Sequence, residues 1–224
     1  MRKLSNSMKI ALGIFILLLC ITSLFNARAV KTASDIEVHF KFNLETKGNV
    51  KLPENFQDTL AKVNMLLDMV FSSKEFKDSL YTHSFNDSTF SKMKKPCFKK
   101  EINEETHRID GSNVYENLTS DKNINLDLLI QETLKKTTTQ GFSNACRFKI
   151  TSNDYWMGSD QPLAFRYCRH IAHEFTHIRG YRHDNNVDKP YKWGRSANED
   201  PAYGVGKIVG NLLIRWSRAG LIKL

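Results

Sequence analysis

The residues best suited to chemistry lie in one segment, HEFTHIRGYRHD, which begins at His173. On a helix, His173 and His177 lie one turn apart and project from the same face, so both can bind one metal ion. Glu174 stands beside them, where its carboxylate can take a proton from water held by that ion. Gly180 can adopt a positive φ, end the helix and turn the chain so that His183 reaches the ion. Three imidazole ligands with one open position predict a catalytic Zn²⁺ site.

The same segment matches the metzincin signature H-E-x-x-H-x-x-G-x-x-H, and the chain therefore resembles a metzincin-type zinc metallopeptidase. The resemblance implies an exported, zinc-dependent endopeptidase. Zn²⁺ would acidify its bound water and polarise the scissile carbonyl, while Glu174 takes the water proton and returns it to the leaving amine. Asp184 resembles a position that varies among metzincin subfamilies, and we assign it a supporting role only.

The chain departs from the metzincin pattern below the zinc. Metzincins carry a methionine turn there, downstream of the third histidine, whereas no methionine follows Met157 in this sequence. Either another residue within 202–205 forms the floor of the metal site, or the C-terminal part is built differently. Tyr203 is our candidate for that floor, or for a second donor to the tetrahedral oxyanion. The alternative for Tyr203 is a buried structural tyrosine.

A second resemblance offers a different third ligand. Deuterolysin-like enzymes, the aspzincins, combine His-Glu-x-x-His with an aspartate in a downstream Gly-Thr-x-Asp-x-x-Tyr-Gly motif. The end of that motif matches at Asp200, Tyr203 and Gly204, but residues 197–198 are not the required glycine and threonine. We favour His183 as the third ligand, because its glycine and its spacing are complete, and keep Asp200 as the alternative.

Residues 1–29 have the three-part pattern of a secretory signal peptide. Basic residues precede an apolar run over 10–21, and Ala27 and Ala29 provide the small residues of a cleavage site. A membrane span needs about 20 apolar residues, and this run is shorter. We therefore predict a protein that is secreted or periplasmic, with retention as an N-terminal membrane anchor as the alternative.

Hydrophobic periodicity predicts one α+β domain over residues 30–224. Alternation predicts strands over 35–45, 123–130 and 146–150, and helical spacing predicts helices from Pro53, over 74–82, near 114–118, over 160–179 and over 205–218. Residues 84–112 and 185–203 are expected to be mostly loop.

This order of elements resembles that of metzincins and extends the resemblance beyond the histidine segment. It implies a metzincin-like zincin with a twisted mixed sheet, a backing helix, an active-site helix and a small C-terminal subdomain ending in a helix. The upper subdomain would extend to about residue 179, with the lower one over 180–224 and the substrate cleft between them. Arg147–Ser152 would be the edge strand that pairs with an extended peptide.

Three cysteines follow the predicted signal peptide: Cys97, Cys146 and Cys168. In an oxidising compartment two of them would pair. We favour Cys97 with Cys146, because Cys168 falls on the predicted active-site helix. A faint resemblance to the cysteine latch of metzincin propeptides leaves Cys97 as an alternative occupant of the open zinc position.

The sequence is basic, with a formal net charge of +9 and a cluster of lysines over 92–100. These lysines are not interleaved with aromatic residues in a pattern typical of nucleic-acid binding, so we predict no nucleic-acid partner. The charge either belongs to a solvated loop or favours anionic cell-envelope surfaces and acidic substrates. We expect a monomer that acts on a protein or peptide substrate. The alternatives are a non-catalytic metal-binding interaction module and a zinc amidase acting on cell-wall peptides.

Overall fold

A computed structural model describes the protein over residues 36–86, 108–133, 139–158, 162–183 and 200–223. The predicted signal peptide, Cys97 and Asp184 lie outside these residues, so the predictions made for them stay predictions. Within the described residues, no helix has both the length and the apolar character needed to cross a bilayer.

The described chain combines six strands with five helices and one short 3₁₀ turn. The strands are β1 (His39–Lys47), β2 (Ser84–Asn86), β3 (Arg108–Asp110), β4 (Asn123–Gln131), β5 (Gly141–Asn144) and β6 (Arg147–Asn153). The helices are α1 (Phe56–Phe71), α2 (Lys74–Tyr81), α3 (Gly111–Leu118), α4 (Leu163–Ile178) and α5 (Pro201–Arg218), and the 3₁₀ turn is Asp154–Trp156. This mixed architecture is compatible with the predicted α+β class.

The main sheet is mixed and has the strand order β1-β4-β6-β5. Strands β1, β4 and β6 run parallel, and β5 pairs antiparallel with β6 at one edge. The alternation that predicted β4 is confirmed, because Ile124, Leu126, Leu128 and Ile130 are buried while the residues between them are more exposed. A central parallel strand of this kind carries the apolar face of the sheet.

Helices α1 and α4 meet the same face of the sheet through aromatic contacts. The Phe40 ring of β1 lies 5.0 Å from the Phe71 ring of α1 and 5.6 Å from the Phe175 ring of α4, both edge to face. Rings of this size contribute large buried areas and favour edge-to-face geometry. The predicted backing helix and active-site helix therefore share one core with the sheet.

The strand nearest the cleft is not the one expected from the sequence. Arg147–Ser152 falls within β6, which lies between β4 and β5 and is internal to the sheet. The edge position belongs to β5 (Gly141–Asn144), which the sequence analysis did not predict as a strand. A strand of four residues gives too short an alternation to be recognised.

Two predicted loops contain regular structure. Within 84–112, β2 and β3 form a two-stranded antiparallel ribbon and α3 begins at Gly111. Helix α5 begins at Pro201, four residues earlier than predicted, because the Asp200 side chain accepts a hydrogen bond from the Tyr203 N–H and caps the helix. Aspartate at the cap followed by proline is a favourable helix start.

Gly180 ends α4 as predicted and has a φ of 98°. Its N–H donates to the His177 carbonyl at 2.9 Å, and the Tyr181 N–H donates to the Thr176 carbonyl at 3.2 Å. These two bonds form a Schellman cap, which reverses the chain direction at the end of a helix. The reversal is what returns the following residues toward α4.

Two hydrogen bonds from neighbouring segments hold the end of α4 against the rest of the domain. The Cys146 N–H donates to the Ile178 carbonyl at 2.8 Å, and the Asn117 side-chain amide donates to the Arg179 carbonyl at 3.0 Å. These bonds satisfy carbonyls that a helix end otherwise leaves open. The end of the predicted active-site helix is therefore fixed from two neighbouring elements.

We expect Gly180→Ala to destabilise the fold by about 1 kcal/mol or more, because a Cβ is unfavourable at positive φ. Gly158→Ala is the matched control, since no atom lies within 4 Å of a Cβ placed there. Denaturant unfolding of both variants measures the difference. Equal stability of the two would contradict the strained role of residue 180.

Candidate metal centre

Three imidazoles converge at the end of α4, as the sequence predicted. The His177 Nε2 atom lies 3.2 Å from the His173 Nε2 and 3.2 Å from the His183 Nε2, and the three ligand atoms lie within 4.8 Å of one another. A tetrahedral Zn²⁺ with bonds of about 2.0–2.1 Å separates its nitrogen ligands by about 3.3 Å. His173, His177 and His183 are therefore close enough to bind one metal ion.

The protein fixes the orientation of these rings through their other nitrogens. The His177 Nδ1 lies 2.7 Å from the Tyr181 carbonyl oxygen, and the His183 Nδ1 lies 2.9 Å from the Asp200 Oδ2. His173 hydrogen-bonds the Ala202 backbone. A proton on Nδ1 that is held in this way leaves Nε2 as the metal-binding lone pair.

Burial also keeps two of the rings neutral. It is the largest cause that lowers the pKa of His173 and of His177 below the usual histidine value, with the neighbouring imidazoles adding to the shift at both residues. Only a neutral imidazole can donate its lone pair to a metal ion. His173 and His177 are therefore able to bind a metal ion at neutral pH.

Asp200 supports the ligand set from outside it. One carboxylate oxygen faces the His183 Nδ1, and the other accepts the Tyr203 N–H at 2.9 Å. The residue is only 2% exposed, and the cluster of candidate ligands contains His183 and not Asp200. The geometry thus favours the first of the two predicted third ligands.

Glu174 lies beside the imidazoles in a nearly dry position, with 4% of its surface exposed. The Ser143 hydroxyl of β5 lies 2.8 Å from the Glu174 Oε2 and 2.7 Å from the Glu174 carbonyl oxygen. Burial raises the pKa of Glu174 to about 7, although the Ser143 hydrogen bond acts in the opposite direction. A carboxyl group in this range can both accept and return a proton near neutral pH.

The Ser143 hydroxyl suits both protonation states of Glu174. It has one hydrogen, which it can donate to the carboxylate when Glu174 is ionised. When Glu174 is protonated, the carboxyl group can donate to Ser143 while Ser143 donates to the Glu174 carbonyl. Sequence reasoning missed Ser143, since nothing around it marks a site.

Tyr203 is 41% exposed and lines the cleft, so the buried structural tyrosine considered from the sequence is wrong. Its ring stacks on His183 at 4.5 Å and meets the His173 ring edge to face at 4.8 Å. Partial burial raises the pKa of Tyr203, and the negative charges of Asp200 and Glu174 add to this effect. Its phenol therefore stays protonated and able to donate.

His170 lies one turn before His173 but belongs to the core behind β5. It is 5% exposed, and its Nε2 lies 3.0 Å from the Ser152 Oγ. Its ring meets Trp156 edge to face at 5.1 Å. Burial lowers the pKa of His170 to about 3, so the ring is neutral and acts in packing.

The cysteines take different roles. Cys146 is disulfide-bonded, whereas Cys168 is free and buried. The expectation that Cys168 stays unpaired is therefore confirmed, and Cys97 lies outside the described residues. Burial raises the pKa of the Cys168 thiol well above its usual value, which makes it inert packing rather than a nucleophile.

A cleft of about 940 Å³ opens over the site. Strand β5 forms one wall with Phe142 and Ser143, and the first turns of α5 form the other with Tyr203 and Gly206. The imidazoles and Glu174 lie between these walls. This volume is in the range of clefts that bind small molecules or several residues of a peptide.

Comparisons of the chain with protein-family models, with curated proteins and with solved structures find no match. The interpretation of the site therefore rests on its residues and their geometry.

We expect His183→Ala to weaken Zn²⁺ binding by far more than Asp200→Asn. The first change removes a ligand, whereas the second removes a charge behind a ligand, which costs about 10–100-fold in metal affinity. Asparagine also caps helices well, so α5 keeps its start. Competition with a chelator measures both affinities, and a larger loss for Asp200→Asn would reverse the assignment of the third ligand.

We expect Ser143→Ala to lower turnover more than it changes the Michaelis constant, because the hydroxyl orients the Glu174 carboxyl group and not the substrate chain. Removing one partner of a buried hydrogen bond costs about 1–3 kcal/mol. Ser120→Ala is the matched control, since Ser120 is exposed and bonds only its own helix end. Steady-state kinetics of both variants separates the two parameters, and an unchanged turnover number would remove Ser143 from the site.

Proposed function

We propose that the protein is an exported zinc endopeptidase of metzincin type, which hydrolyses peptide bonds with Glu174 as general base. The observation that carries the proposal is one arrangement: three imidazole Nε2 atoms face a common point beside the buried Glu174 carboxyl group. The export part of the proposal rests on residues 1–29 and on the sequence alone.

The donor set fits Zn²⁺ in particular. Neutral imidazole nitrogens suit zinc well, and three such ligands with the fourth position facing a cleft are the pattern of catalytic sites. Each ring is held through its other nitrogen, as ligands of catalytic zinc are. A bound zinc ion supplies Lewis-acid chemistry, which acidifies a water molecule and polarises a carbonyl oxygen.

Glu174 performs the proton transfers in this proposal. Its carboxylate accepts a proton from the attacking water and later returns that proton to the leaving amine. The elevated pKa of Glu174 suits this double task, because the group then gains and loses a proton at similar cost. Ser143 keeps the carboxyl group in one orientation through both steps.

The substrate is proposed to bind as an extended peptide along β5. Among the described strands β5 pairs on one side only, so its outer edge can add a peptide strand by main-chain hydrogen bonds. Such pairing leaves the scissile bond close to Glu174, because Ser143 of β5 touches that side chain. This assigns to β5 the role that the sequence placed on Arg147–Ser152.

Tyr203 is proposed to donate a hydrogen bond to the oxygen that becomes negative during attack. Its ring lies against two of the proposed ligands and lines the cleft. The same position makes the first turn of α5 the floor of the site in place of a methionine turn. One residue thus takes both roles considered for it.

A non-catalytic binding module is less well supported. Burying an ionisable carboxyl group beside the ligands costs stability, and a module that only binds gains nothing from it. A zinc amidase acting on cell-wall peptides uses the same residues and differs only in substrate. Digestion of purified cell wall beside casein distinguishes it from the endopeptidase.

We expect Glu174→Gln to lower kcat/KM on casein-derived peptides by about 10³-fold or more, while zinc content stays at one ion per chain. Loss of a general base accounts for about 10²–10⁴-fold. Glu116→Gln is the matched control, since Glu116 is exposed on α3. Elemental analysis and peptide cleavage are measured on the same samples. Full activity of Glu174→Gln would refute the proposed mechanism.

A further inference from the structure

The side chains that line the cleft are strongly unbalanced in charge. Arg166, Arg169, Arg182 and Lys207 line it, whereas Glu174 is the one acidic residue among the described residues of its walls. Glu174 is buried, so the described side chains on the solvent-facing part of the cleft are basic. Within the described part of the chain, Arg169, Arg182 and Lys207 form no ion pair.

Three of these cations surround the groove along the N-terminal half of α4, and we call Arg166, Arg169 and Lys207 the basic wall. Arg166 is held on the sheet side, where its Nη1 donates to the Trp156 carbonyl at 2.6 Å and its guanidinium carbon lies 5.0 Å from the Trp156 ring. A guanidinium fixed in this way has already lost much of its conformational entropy, so Arg166 contributes a positive charge at a defined position of the wall.

Arg169 is placed by a glycine of α5. A Cβ built at Gly210 would lie 2.7 Å from the Arg169 Cδ and 3.0 Å from its Nε, so the absence of a side chain at Gly210 leaves room for Arg169 to lie against α5. The guanidinium carbon also lies 5.7 Å from the centre of the Phe165 ring. Lys207, one residue after Gly206, is exposed on the same helix. The wall therefore has members on two helices, Arg166 and Arg169 on α4 and Lys207 on α5.

We propose that the cleft selects acidic peptide segments, with a carboxylate side chain of the substrate bound at the basic wall. This inference rests on the proposed function, because it names the substrate class of the same site. Guanidinium groups bind carboxylates through paired, charge-assisted hydrogen bonds. Arg182, which follows the glycine turn, adds a fourth cation to the lining of the cleft.

An extended peptide fits this arrangement better than a densely charged polymer. The cations come from α4, from the turn after it and from α5, so single carboxylates along one chain can meet them separately. Residues 1–29 contain four basic and no acidic residues, so the formal charge of +9 falls to +5 when the predicted signal peptide is removed, and this charge also attracts anionic chains from solution at low salt. Long-range attraction of this kind acts on any anion. The basic wall instead favours substrates whose carboxylates lie at positions that reach its cations.

The test uses two peptide mixtures of equal length. Their sequences are identical except at every third position, where one mixture has glutamate and the other has glutamine. Cleavage by the full zinc-loaded chain gives one ratio of kcat/KM for the acidic over the neutral mixture. Fluorescence anisotropy with Glu174→Gln gives a second ratio, in Kd, which does not depend on turnover. Both ratios are then measured with Arg169→Gln/Lys207→Gln. Lys41→Gln/Lys122→Gln removes the same charge from β1, at the opposite sheet edge, and from the turn before β4.

We expect both ratios to favour the acidic mixture by about tenfold in low salt, since two partly exposed charge pairs contribute about threefold each. They should fall by about threefold or more in the wall variant, which keeps Arg166 and Arg182, and stay near tenfold in the control variant. Cleavage of both mixtures at equal rates would overturn the acidic preference while leaving the peptidase intact. Preferential binding without any cleavage would refute the peptidase and keep the preference.

Binding of a non-peptide polyanion tests whether the basic wall serves an anion other than an acidic peptide. One outcome would refute the proposal. In it, polyphosphate binds the Glu174→Gln chain, the wall variant loses that binding, and the two peptide mixtures bind equally well. The basic wall would then serve another kind of anion. Polyphosphate that binds the wall and control variants alike is held by net charge only. In that case the tenfold peptide ratio still stands as support for the proposed class.

Discussion

The carboxylate of Asp200 joins the two halves of the site. One of its oxygens orients His183, which comes from the loop after α4, and the other caps α5 at Tyr203. Only 2% of the residue is exposed, so both bonds lie in a low-dielectric setting where they are strong. The third imidazole and the first turn of α5 are therefore positioned by one side chain, and neither can move without the other.

Close packing between α4 and α5 sets the remaining geometry. A Cβ built at Gly206 would lie 3.2 Å from the Arg169 carbonyl and 3.4 Å from the His173 Cβ, so this glycine lets α5 approach the first metal-facing residue. Gly210, one turn later, makes room for the Arg169 side chain. Glycine inside a helix costs about 1 kcal/mol relative to alanine. The two helices accept that cost at the contacts that place His173 and the basic wall.

The parts of the site predicted from the sequence are those with local rules. The offset between His173 and His177 follows from helix periodicity, and the position of His183 follows from the conformational freedom of Gly180, whose φ is indeed positive. The strand β4 and the helix α4 follow from their apolar periodicity in the same way. Rules of this kind need no knowledge of which segments meet in space.

The parts that the sequence did not reveal depend on which segments meet. Ser143 matters because β5 is the edge strand, and strand order cannot be obtained from a four-residue segment. The start of α5 could have been found, since Asp200 followed by proline is a local cap signal. Apolar helical spacing begins only at residue 205, which is why residues 185–203 are expected to be loop from periodicity alone.

The basic lining of the cleft raises the question of how the buried Glu174 carboxyl group keeps its raised pKa. A basic groove stabilises the ionised form of any acid that enters it, whereas the pKa of Glu174 is raised because burial outweighs the Ser143 hydrogen bond and the His183 interaction, which act in the opposite direction. The cations lie toward solvent, where water screens them, while Glu174 is enclosed by β5 and the imidazoles. Binding of an acidic chain would neutralise the basic wall and exclude that water. Under the proposed function, recognition by the cations at the rim is separate from proton transfer at Glu174, so the charge of a substrate would be selected without disabling the proposed general base.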